Sequence, residues 1–124
     1  MIKKRPVNLS LPSISFPVTA IISILHRLSG ILLFISLPFL LWGLNVSLTS
    51  PEGFDQMAHL LSGVWARLAG WIVMVGLFGH TIAGIRHLLM DIGIGETRAG
   101  GRLAAWIVAG LTLLFALAAG IWLW

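Results

Sequence analysis

The chain has 124 residues, 58% of them hydrophobic and 10% charged, with a net charge of +4. A soluble domain of this size needs a polar shell that these residues cannot supply, and the apolar runs leave no room for a separate soluble catalytic domain. There is no cysteine, which excludes a disulfide framework, a thiolate-bound iron–sulfur cluster and c-type haem attachment through Cys-x-x-Cys-His.

Residues 1–17 are polar to mildly apolar, with Lys3, Lys4 and Arg5 followed by Pro6, Pro12 and Pro17. The prolines argue against a long helix, so a short interfacial arm is expected. The first span is expected over about 18–46. It is too long for a signal peptide and no small-residue cleavage site follows it, so it is expected to be retained as a helix. His26 and Arg27 lie about two turns inside it, Pro38 is expected to kink its second half, and Trp42 suits an interface. Leu48 to His59 reads as a short loop with Glu52 and Asp55 and no Lys or Arg. The second span is expected over about 60–90, long enough to require tilt or protrusion. Residues 92–101 form a glycine-rich loop, and the third span is expected over about 103–124. That span has no ionisable group and carries small residues suited to close helix contact, so it reads as scaffold.

Each of the three windows holds roughly 20 or more mostly apolar residues, the length needed to cross a bilayer. The fold class is therefore an all-α membrane protein, one domain of three transmembrane helices. The basic residues read as orientation signals and as partners for buried anions, not as a nucleic-acid surface. Lys3, Lys4, Arg5, Arg98 and Arg102 put the N-terminus and the second loop in the cytoplasm and the C-terminus outside, with Arg67 as the dissenting charge. The start of the first helix and the end of the second then share a face. Ser23, His26 and Arg27 are expected at the depth of Arg86, His87 and Asp91, with His80 roughly 10 Å deeper than His87 by helical rise.

Ionisable groups inside a span point to function. His80 has Gly76 and Gly84 one turn to either side, a flat slot for a neighbouring helix or a planar ligand. An axial haem ligand must be a neutral imidazole in a dry site, while the propionates need cations nearer water. His80, below His26, Arg27, Arg86 and His87, matches that division. The other reading of His80 is an interhelical hydrogen bond. His87 suits a propionate or supporting role, Arg86 either a topology anchor or an anion partner, and Asp91 a cap or a neutralising partner for Arg86. Since one chain supplies one deep histidine and His26 lies in the shallower layer, a partner subunit is the economical source of a second axial imidazole. The three helices would then form half of a helical bundle with a partner anchor. Ser23 and Arg27, at i and i+4, can reach one slot that would suit a quinone's carbonyls. On spacing alone, a backbone bond one turn back is favoured for Ser23.

The pieces Arg5-Pro6, Ser23-x-x-His26-Arg27-x-Ser29-Gly30, Ser50-Pro51-Glu52-Gly53-Phe54 and His80-x-x-x-Gly84-Ile85-Arg86-His87-x-x-x-Asp91 stand in an order and spacing that closely resemble the cytochrome b subunit of bacterial succinate dehydrogenase, a membrane anchor of respiratory complex II. The resemblance spans the whole chain and its motif residues show no departure. It implies His80 as an axial ligand of haem b, the other axial histidine coming from a second membrane-anchor subunit. It implies Ser23 and Arg27 at the ubiquinone site beside the iron–sulfur subunit, and His26, Arg27 and His87 near the propionates. The flavoprotein and iron–sulfur subunits would carry succinate oxidation, in the bacterial inner membrane. The chain has no Tyr, so any tyrosine at the quinone would come from another subunit. The competing readings are the anchor of a quinol:fumarate reductase working with menaquinone, and a cofactor-free accessory subunit.

Overall fold

The computed structural model describes residues 16–124, so the expected arm lies outside the described residues except for Phe16 and Pro17. The chain forms four α-helices, α1 (Val18–Thr49), α2 (Pro51–Ser62), α3 (Val64–Asp91) and α4 (Arg98–Leu123). Helices α1, α3 and α4 are each long and apolar enough to cross a membrane, so the three expected spans are present. At 1.5 Å per residue the 32-residue α1 is about 48 Å long, against roughly 30 Å of hydrocarbon. It must tilt or project. The helix continues unbroken through Pro38.

Two boundaries differ from the sequence expectation. The segment read as a loop, Leu48 to His59, is mostly helix. Ser50 is an N-cap whose hydroxyl accepts from the Gly53 N–H at 3.0 Å, with Pro51 at the first helical position and Glu52 in the first turn. Helix α2 ends at Ser62, and Gly63 is extended with its N–H on Leu60 O, so the expected span from residue 60 is two helices. Helix α4 starts at Arg98, not near 103, because Thr97 caps it: the Thr97 hydroxyl accepts from the Gly100 N–H at 3.0 Å. The turn before it uses Gly93 (φ 85°) and Gly95 (φ 80°), a left-handed backbone that glycine adopts without penalty.

The interior is small and made of small side chains. Ile22, Ala83, Ala105 and Val108 form the buried cluster, with Val18, Ile82 and Ala109 against it. Ala105 is the most enclosed, at 0% exposure, while Phe34 is 78% and Ile121 83% exposed. Large apolar side chains facing outward are what lipid or neighbouring helices require, and small ones let backbones approach. Helix α3 is tied to α4 by Trp71, whose indole N–H donates to Ala116 O at 2.8 Å, and by Phe78 stacked on Phe115 at 4.3 Å. At the far end, Arg67 Nη1 donates to Leu123 O at 3.4 Å. The dissenting charge therefore sits on the negative, carbonyl end of α4, where a cation is favourable.

Candidate functional site

The histidines of α1 and α3 come together in one column. The His26 and His80 rings stack with centroids 4.2 Å apart and planes 14° apart, and His87 lies against the other side of this pair, 5.1 Å from His26 and tilted by 48°. His26 thus sits between His80 and His87 in depth, which corrects the expected single layer. Glycine makes the stacking possible. A Cβ on Gly30 would stand 3.1 Å from His80 Cε1, and one on Gly84 would stand 3.5 Å from His26 Nε2. Each histidine rests on the other helix's glycine. The slot expected around His80 is filled by α1 on this side, with Leu32 over Gly76 and His26 over Gly84.

The hydrogen bonds of His80 fix its tautomer. Nδ1 lies 3.0 Å from His26 O and 3.0 Å from Ser29 Oγ. A carbonyl only accepts, so Nδ1 carries the proton. The Ser29 hydroxyl spends its own proton on His26 O at 2.8 Å and so accepts from the ring. In the neutral imidazole Nε2 then keeps its lone pair, and among the described residues it has no hydrogen-bond partner. This is the arrangement of a metal-binding histidine, whose second nitrogen donates to a carbonyl that sets orientation and basicity.

His80 and His26 line an open groove of about 610 Å³ between α1, α3 and α4. The walls are otherwise mostly apolar and include Leu25, Leu28, Leu32 and Val75. Helix α4, read from sequence as scaffold, contributes Val108, Ala109, Thr112, Leu113 and Ala116. The Thr112 hydroxyl is buried without a partner among the described residues. A single threonine in an apolar run carries no positional signal, so sequence does not single out its place on the groove wall. A mostly apolar groove beside an imidazole whose Nε2 is uncommitted among the described residues fits what a haem iron would need from this chain.

Ser23 and Arg27 lie one turn apart on α1, Ser23 half-buried and Arg27 exposed, and neither is among the groove's lining residues. His87 is half-buried beside His26. Arg86, expected in the same cationic band, faces elsewhere: its side chain is buried and Nη2 donates to Gly101 O at 3.4 Å on α4. Asp91 is exposed.

Residues 1–119 match the family described as succinate dehydrogenase/fumarate reductase transmembrane subunit. The chain belongs to that family. It is similar to the succinate dehydrogenase cytochrome b556 subunit of Coxiella burnetii, 41% identical over 122 residues and 98% of each chain. It is also similar to the cytochrome b556 subunit of Paracoccus denitrificans, 31% identical over 115 residues, which cover 89% of this chain and 85% of that one. The cytochrome b560 subunit of Reclinomonas americana is 32% identical over 123 residues, 94% and 85% of the two chains. As a succinate dehydrogenase/fumarate reductase transmembrane subunit, the chain is a multi-pass membrane anchor of a larger complex.

Proposed function

We propose that this anchor serves a succinate:ubiquinone oxidoreductase, holds one side of a haem b through His80, and forms part of the ubiquinone site with Ser23 and Arg27. The observation that carries the haem reading is the His80 Nδ1 proton, committed to His26 O and Ser29 Oγ, with Nε2 left to bind iron. Haem b bound there supplies one-electron redox chemistry. The protein's part is to hold the imidazole oriented at a mostly apolar groove. His26, Arg27 and His87 supply donors or positive charge for the propionates. A second membrane-anchor subunit would supply the other histidine that holds the haem. The flavoprotein and iron–sulfur subunits dock at the face where α1 starts, the cytoplasmic side of a bacterial inner membrane, with the C-terminus periplasmic. The basic arm and second loop support that orientation.

The haem reading is tested by the reduced-minus-oxidised visible spectrum of the assembled complex. The wild-type complex shows b-type bands and His80→Leu loses or severely perturbs them; an unchanged spectrum in the variant reassigns the ligand. For the quinone site, support comes from an exposed arginine within a span, one turn from a hydroxyl, since a cation there calls for a functional partner. Ser23→Ala and Arg27→Leu are expected to weaken quinone reduction while succinate oxidation by an artificial dye continues. Equal loss of both activities makes the two residues structural.

A further inference from the structure

We propose that the pocket where the start of α1, the end of α3 and the N-terminus of α4 meet binds the phosphate of an anionic phospholipid. The pocket has a volume of about 530 Å³ and its lining includes Val18, Thr19, Arg86, Glu96, Arg98 and Arg102. It is separate from the groove that holds His80 and does not depend on the haem or quinone reading.

Arg86 is the residue that calls for a ligand. It is only 6% exposed, and its hydrogen bond to Gly101 O is long at 3.4 Å. Its Nε is buried with no partner among the described residues. A guanidinium has five N–H donors and stays charged, so burying it in this state is unfavourable unless an anion completes it. Arg98 and Arg102 add two cations against one acid, Glu96. The preceding arm, residues 1–15, brings Lys3, Lys4 and Arg5 and no acid, so its side chains cannot neutralise the cluster.

The backbone adds to the same field. The Thr97 cap takes the Gly100 N–H, and the Gly101 N–H goes to Thr97 O at 2.8 Å. The N–H groups of Arg98 and Ala99 have no acceptor within the helix, and the positive end of the 26-residue α4 is directed at the pocket. A phosphate oxygen suits both the forked guanidinium and these amides.

The position selects a lipid. The pocket lies where three membrane-length helices end on one face, the depth of lipid headgroups, where basic pockets between helices bind anionic lipids. Ile21, Leu103 and Trp106, exposed just inside it on α1 and α4, offer an apolar surface for the acyl chains.

The test is native mass spectrometry of the whole complex in detergent, stripped of lipid and titrated separately with phosphatidylglycerol, phosphatidylcholine and inorganic phosphate. The wild type is expected to retain one phosphatidylglycerol in preference to phosphatidylcholine. Arg86→Gln is expected to abolish that retention. Arg98 and Arg102 are exposed, so the double variant Arg98→Gln, Arg102→Gln keeps the fold and decides the matter if the Arg86 variant fails to assemble. It is expected to weaken retention roughly 25-fold, about fivefold per arginine. Unchanged retention in the double variant overturns the proposal. So does binding of inorganic phosphate without lipid preference, which marks a free-anion site. Release of the peripheral subunits from the double variant with lipid retention intact also overturns it, by making a partner carboxylate the occupant.

Discussion

The Nδ1 proton of His80 is shared by two acceptors on neighbouring turns of α1, the His26 carbonyl and the Ser29 hydroxyl. Ser29 is therefore a positioning residue for His80. Ser29→Ala leaves the His26 carbonyl in place, so if His80 holds a haem as proposed, the expected effect is at the mild end of such losses, about tenfold in haem retention. A shift in haem midpoint potential at full occupancy is the sign that a merely structural role would not give. The histidines themselves were legible in sequence, because four ionisable groups at the end of an apolar run stand out. Their stacking was not. Rise per residue puts His26 about 12 Å from the start of α1, and His87 and His80 about 6 and 16 Å from the end of α3. His26 therefore falls between them, where grouping by helix end had put it level with His87. Gly84 marks a slot beside His80 in the sequence itself, but the reciprocal use of Gly30 and Gly84 depends on how two helices pack, which no single run of residues displays.

Among the elements, the three long helices were legible from hydropathy and length alone. Helix α2 is hidden in the sequence because two acids and a proline suggest a turn. The same residues are helix-start chemistry: Ser50 caps, Pro51 suits the first position, and Glu52 faces the positive end. Phe54, Met57, Ala58 and Leu61 then recur at helical spacing, and Met57 is buried near Gly43. Ser50→Ala is expected to destabilise α2 by about 1 kcal/mol, seen as lower hydrogen-exchange protection in residues 51–62 with α1 unchanged. The Glu52 carboxyl is held below its ordinary value by its own backbone N–H, helped by the Ser50 hydroxyl. Because the folded value is the lower one, this support is present above the ordinary carboxylate range and is lost as pH falls through the depressed value. Protection of the first turn of α2 should fall in that acidic window and not on the alkaline side.

At the scale of the molecule, the chain has two differently built polar regions at one end: a histidine column opening on an apolar groove, and an arginine pocket at a helix start. Family membership accounts for the outward-facing apolar surface, since a membrane anchor presents that surface to lipid and to its neighbours. The single deep histidine sets up the expectation of a companion, and family membership places the chain in a larger complex. Which faces of the three helices meet that companion was not, because leucine facing lipid and leucine facing a helix are chemically alike.

The buried cluster of one isoleucine, one valine and two alanines has a consequence for the living cell. So few enclosed methyl groups give a solitary copy little internal cohesion, and its charged Arg27 is left exposed on a membrane-length helix. Copies synthesised in excess of their companions are expected to be cleared by membrane quality-control proteases, decaying several times faster in a pulse–chase than copies already assembled. Matched synthesis of the subunits would then be a requirement written into the thinness of this interior.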